Sequence, residues 1–129
     1  MMRIIISSWI PLLIMSGCAG IPAMSPDELK LVDVGDLCVS YGEIKGRKTR
    51  NELERRQALS PHEWHLVDQK KISVGISSCA LAASWGPPAR INTTVTGYGG
   101  SHQWVYRDCS TCKASYVYVD SGKVVAWQN

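Results

Sequence analysis

The feature that most constrains this chain is Trp85-Gly86-Pro87-Pro88, which no helix can cross. Gly86 can take a positive φ that closes a helix, and neither proline can continue one. Before the break, Leu81, Ala82 and Trp85 fall at helical spacing, which predicts a short helix with one apolar face after Ser77 and Ser78. After it, Ile91 to Thr96 is rich in β-branched residues, as a strand requires. The break therefore divides a helical part from a sheet part.

The sheet part reads as four consecutive strands: Arg90–Thr96, Ser101–Arg107, Ala114–Val119 and Lys123–Gln128. Gly97-Tyr98-Gly99-Gly100 and Asp120-Ser121-Gly122 are turn sequences, and Asp108–Lys113 is a loop. Strands joined by short turns make an antiparallel meander. Helices first and strands afterwards argue for α+β, with short N-terminal helices packed on one face of a small antiparallel sheet.

The helical part opens at Met24-Ser25-Pro26-Asp27-Glu28-Leu29. Ser25 can cap, Pro26 suits the first helical position, Glu28 completes a capping box, and Met24 can staple to Leu29. A helix is expected from there to about Ser40, with Leu31, Val34, Leu37, Cys38 and Tyr41 on its apolar side. Gly35 weakens it and can divide it in two. The same device recurs at Leu59-Ser60-Pro61-His62-Glu63-Trp64, and 24–33 and 59–68 share Ser, Pro, Glu, Leu, Val and Asp in the same places. Two copies do not make a repeat array, so one capping solution is used twice. Between them Thr49–Ala58 reads as a short polar helix. Its Arg50, Arg55 and Arg56 interleave with Glu52 and Glu54, the pattern of a solvated face with local ion pairs.

The formal charge of +3 has no basic stripe, which argues against nucleic acid as a partner. Ahead of the helices, Arg3 precedes an apolar run from Ile4 to Met15 that is too short for a comfortable bilayer span. Residues 1–17 read as an export signal. Met15-Ser16-Gly17-Cys18 resembles the bacterial lipobox, which implies a lipoprotein: cleavage before Cys18, acylation of that cysteine (palmitate in the usual notation) and anchoring in the membrane. Ala19 after the cysteine implies the outer membrane, with the protein facing the periplasm. Residues 18–23 are then a tether, 24–69 a helical segment, and 70–129 a helix plus sheet that packs with it as one domain.

Acylation of Cys18 leaves Cys38, Cys79, Cys109 and Cys112. In an exported chain a disulfide framework is the default, with three connectivities. Cys109 and Cys112 lie close enough in a turn to bridge. Cys38 and Cys79 each sit on a core-facing helix and either bridge or remain buried thiols. The Cys109/Cys112 motif also admits thiol–disulfide chemistry, although it lies between strands with Asp108 beside it, away from the helix N-terminus that lowers a thiol pKa. A four-cysteine zinc site needs a second close pair. His62, His65 and His102 show no ligand spacing, no carboxylate pair stands out, and Ser77 and Ser78 are capping residues. No catalytic residue, cofactor, metal or small-molecule substrate is assigned. Asn92-Thr93-Thr94 matches the glycosylation sequon, which has little weight beside a bacterial lipobox.

Four stretches taken together carry a family resemblance: Ile72 to Ser77, Ala83 to Thr94, Gln103-Trp104-Val105-Tyr106, and Tyr116 to Val124. They resemble the small periplasmic lipoprotein domain of the SmpA/OmlA (BamE-like) type. That resemblance covers the C-terminal half. It implies two helices on a three-stranded antiparallel sheet, no catalysis, and a scaffolding role in outer-membrane assembly. The segment 25–68 and the Cys109–Cys112 loop depart from the pattern. The functional expectation is a non-catalytic interaction module with an envelope protein partner. The alternatives are an envelope thiol–disulfide protein using Cys109 and Cys112, and a periplasmic hydrolase inhibitor presenting Gly97–Gly100. Side chains alternate along a strand, so Trp104 with Tyr106, and Tyr116 with Tyr118, are expected to form an exposed aromatic row for that partner.

Overall fold

The computed structural model describes residues 20–129. Cys18 and the signal segment lie outside the described residues. The chain is α+β, with five α-helices and a four-stranded antiparallel sheet among the described residues, the helices preceding the strands. The helices are α1 Pro26–Leu29, α2 Val34–Glu43, α3 Arg47–Arg55, α4 Pro61–Asp68 and α5 Ser78–Trp85. The strands are β1 Arg90–Thr96, β2 Gly99–Tyr106, β3 Ser115–Asp120 and β4 Lys123–Gln128, adjacent in chain order. The two-helix, three-stranded pattern implied by the family resemblance concerns the C-terminal half, where the structure has one helix, α5, and four strands.

Both serine caps form. The Ser25 hydroxyl accepts from the Glu28 amide while the Glu28 carboxylate accepts from the Ser25 amide, a complete capping box. Glu28 is held below the usual carboxylate range chiefly by that backbone hydrogen bond. Ser60 accepts from the Glu63 amide, but the Glu63 carboxylate turns away to accept from the Ser77 hydroxyl at the start of α5. The twin motifs then diverge. The expected helix to Ser40 breaks after Leu29, because Asp33 accepts from the Gly35 amide and starts α2 as a new helix. The second copy has no such cap, and α4 runs a further turn to Asp68.

Residues 18–23 are not all tether. Ile21–Ala23 forms a turn of 3₁₀ helix, and Ile21 packs against the core, so the chain is fixed to the body from that residue onward.

Helix α5 is central. Ala80, Leu81, Ala82, Ala83 and Ser84 are all buried, so the helix is covered all round and not along one face only. It shares one buried cluster with Val117, Val119 and Val124 of the sheet, touching β4, and it packs against α2 and α4. The small residues allow this. A Cβ on Gly42 of α2 would stand 1.8 Å from the Ala82 carbonyl oxygen and 2.7 Å from the Gly86 Cα. One turn earlier, Cys38 and Cys79 join the two helices by a disulfide, with Cα atoms 5.2 Å apart. Gly86 closes α5 at φ 80° and ψ −167°, a region open in practice only to glycine, and its carbonyl accepts from the Tyr106 hydroxyl.

The sheet is joined to this helix through its edge. The Gly75 amide donates to Val124, Val124 donates to Ile76, and Ser78 donates to Gly122, so the approach to α5 covers the start of β4. The β1–β2 turn has the two residues Gly97 and Tyr98 between the paired Thr96 and Gly99. The β3–β4 turn is Ser121-Gly122, both at positive φ, as a tight hairpin turn needs.

The polar helix α3 is a clasp as well as a solvated face. Arg50 forms two hydrogen bonds to Asp68 of α4, at 2.6 and 3.3 Å, donates to the Tyr41 hydroxyl of α2, and stacks 4.3 Å over the Trp64 ring. Arg56 donates to the carbonyls of Leu29, Lys30 and Val32, the open end of α1. The buried Glu52 orients it by accepting from Arg55 and Arg56, and those bonds, Arg55's first, pull its carboxyl down to about 2.

A cationic cleft beside the second disulfide

The end of α5, the end of β2 and the loop joining β2 to β3 enclose a cleft of about 380 Å³. Trp85 and Tyr106 form its apolar wall, edge to face at 5.3 Å. Both are pinned. The Trp85 indole donates to the Lys70 carbonyl at 3.1 Å and the Tyr106 hydroxyl donates to Gly86 at 3.1 Å. Burial pushes the Tyr106 phenol well above its ordinary pKa, so it stays a neutral donor. Ser84, donating to Lys71 at 2.7 Å, fixes the linker that carries Lys70. Lys70, Arg107 and Lys113 surround the mouth, against the single acid Asp108. An apolar wall beside an excess of cations suits a ligand with an apolar body and an anionic end.

The loop forming the outer lip is closed by the bond between Cys109 and Cys112, Cα atoms 5.0 Å apart. The Cys112 amide donates to the Cys109 carbonyl, and Arg107 donates to Ser110, so the loop is a compact turn whose cysteines are exposed. Closing so short a loop removes little unfolded-state entropy, about 2 kcal/mol or less. Replacing both cysteines by serine is expected to lower stability by no more than that in chemical denaturation and to leave the body folded. A larger loss would mean that the loop supports the sheet.

The aromatic row expected for a partner does not exist as one surface. Strand register pairs Trp104 with Val117 and Val105 with Tyr116. Residues opposite one another share a face, so Trp104 and Tyr106 stand on the helix side with Val117 and Val119, whereas Tyr116 and Tyr118 stand on the far side with Val105. Trp104 and Tyr106 pack against the core in consequence. Tyr118 belongs to a polar row crossing all four strands: Asn92 donates to Gln103, and Gln103 and Gln128 both donate to the Tyr118 hydroxyl. Of the four expected residues, the cleft takes Tyr106 alone. Trp85, Arg107 and Lys113 also belong to it; the sequence marks Trp85 only as part of an apolar helix face before Gly86, and Arg107 and Lys113 only as neighbours of the cysteine loop.

The remaining candidates stay apart. His65 lies against Gln69, at 2.8 Å, and His102 against Thr93, at 3.0 Å, while His62 is exposed on α4. Ser77 caps α5. Among the described residues no group of His, Cys, Asp and Glu is placed to hold a metal ion, and no helix there is long and apolar enough to cross a membrane. Comparison with protein-family models, with curated proteins and with solved structures gave no match.

Proposed function

We propose that this chain is a non-catalytic lipoprotein, anchored by Cys18 in the bacterial outer membrane and facing the periplasm, that holds a protein partner in the manner of an envelope-assembly module. The observation that carries the interaction half is the cleft: Trp85 and Tyr106 form a pinned apolar wall, and Lys70, Arg107 and Lys113 give it a positive mouth. A partner segment with a carboxylate next to an apolar side chain meets both requirements. The anchor half rests on the lipobox resemblance at Met15–Cys18 and supplies the location.

One experiment addresses both halves. Cells express the full chain, Cys18→Ser, and the double variant Arg107→Glu with Lys113→Glu; each is crosslinked in place and fractionated. Wild type is expected in the membrane with an acyl label and a crosslinked partner. Cys18→Ser loses label and membrane association, and the charge-reversed variant stays anchored and loses the partner. An unlabelled wild type, or a partner retained after charge reversal, overturns the corresponding half.

A second reading has its own observation. Tyr98 stands fully exposed at the tip of the β1–β2 hairpin. A protruding hairpin tip of this kind suits insertion into an active site, which is the periplasmic hydrolase-inhibitor alternative. Loss of the crosslinked partner on Tyr98→Ala, with the cleft intact, would favour it.

A further inference from the structure

The two edges of the sheet are treated differently. The β4 edge is covered at its start by Gly75–Ser78, and its pairing with β3 is broken by a bulge where Val119 faces Val124 and Tyr118 faces Ala126, leaving Val125 extra. Both devices discourage another strand from adding there. The β1 edge has neither. All seven residues from Arg90 to Thr96 are exposed, they pair with β2 without a register shift, and they include no proline and no lysine. Such an edge is a template for another strand.

The hairpin geometry shows which groups are available. A two-residue turn closes on a hydrogen-bonded pair, here Thr96 with Gly99, and bonded pairs then recur at every second residue. Thr94 and Asn92 therefore spend their amides and carbonyls on β2, whereas those of Ile91, Thr93 and Val95 point outward.

We propose that this edge binds the β1 strand of a second copy of this chain, antiparallel and centred on Thr93, joining two four-stranded sheets into one. In that register all seven residues are paired. Thr93 meets its own counterpart, and Ile91 meets Val95 of the other copy, so the outward-pointing groups hydrogen-bond to each other. The side chains agree with the backbone. Ile91 and Val95 are 46% and 82% exposed and share the helix-bearing face, since Ile91 lies opposite Trp104 and alternation places Val95 with it. Pairing sets two Ile–Val contacts on that face, beside Trp104 of each copy. Asn92 meets Thr94 on the other face. The strand's one charge, Arg90, meets Thr96, and the two copies of Arg90 fall at opposite ends, roughly 20 Å apart. Centring on Asn92 or Thr94 instead sets Ile91 or Val95 against Thr93 and leaves an end of the strand unpaired. A two-fold axis perpendicular to the sheet generates the arrangement, so both copies carry their helices on the same side.

The test uses the full chain, purified in detergent and oxidised mildly. Light scattering is expected to give twice the mass of one chain. Thr93→Cys is expected to form a covalent dimer on a non-reducing gel, because the two sites lie directly opposite, within disulfide reach. Val95→Cys, whose copies lie four residues out of register, is expected to form little. Val95→Lys should halve the mass while leaving the circular dichroism spectrum unchanged. A monomeric wild type overturns the proposal. Equal crosslinking at positions 93 and 95, or crosslinking of Thr93→Cys in cells to a different protein, overturns it as well, the last by assigning the edge to a foreign strand.

Discussion

Replacing Cys38 and Cys79 together by alanine is expected to lower the stability of the oxidised protein by about 4 kcal/mol. The bond joins residues 41 positions apart, so it removes a large share of the unfolded chain's freedom. The same loop-entropy relation gives the Cys109–Cys112 bond less than half as much. The native state adds to the effect. Cys38 is fully buried against α5, and truncation to alanine leaves a small void where the two helices meet. Alanine itself suits both helix positions, so little of the change can come from helix propensity. Denaturant titration of wild type and variant without reductant measures the difference. A loss under about 1 kcal/mol would mean that the unfolded chain already keeps α2 and α5 together, since the loop term would then have vanished.

Gly42→Ala is expected to cost roughly 3 kcal/mol or more, at the upper end of what overpacking does. Its sign is the informative part. Within a helix, glycine to alanine ordinarily stabilises by up to about 1 kcal/mol. Here the new methyl would fall on the Ala82 carbonyl oxygen and the Gly86 Cα, both backbone atoms. No side chain can rotate away to admit it. The helices must separate, and the disulfide one turn earlier prevents them from doing so freely. Thermal and denaturant unfolding of Gly42→Ala check the magnitude. The same substitution in the Cys38/Cys79 double-alanine background is expected to cost less, because α2 can then tilt away. A neutral or stabilising Gly42→Ala would show that the helices do not approach this closely.

Sequence reasoning reached the elements whose signals are local. Ser25, Ser60 and Ser77 cap the helices they were expected to cap, and the four strands lie within a residue or two of their expected bounds. The break before α2 had a local cause too, but the effective residue was Asp33 and not Gly35. What stayed hidden depends on pairs far apart in sequence. Alternation shows that Trp104 and Tyr106 share a face, and separately that Tyr116 and Tyr118 do. Whether the two pairs share one face depends on the register across the loop 107–114, and a loop of that length does not reveal it. Arg50 and Arg56 were hidden in the same way. Their pairing with Glu54 and Glu52 follows from helical spacing, but their partners Asp68 and the carbonyls at the end of α1 come from tertiary structure. The cleft combines both problems, since it forms only where α5, β2 and the cysteine loop meet.

The bond between Cys38 and Cys79 also sets how the molecule bears a load. It closes a covalent ring around α3 and α4. A pull applied between the N-terminal side of the body and β4 travels through the bond and bypasses everything inside the ring. The enclosed stretch, roughly 140 Å when fully extended, cannot pay out while the bond is intact. The Arg50 clasp on Tyr41, Trp64 and Asp68 lies wholly within that sheltered part, whereas Arg56 grips the end of α1 ahead of the ring, so tension reaches the α1 contacts and the sheet first. A protease cut within the ring would likewise leave the two pieces linked.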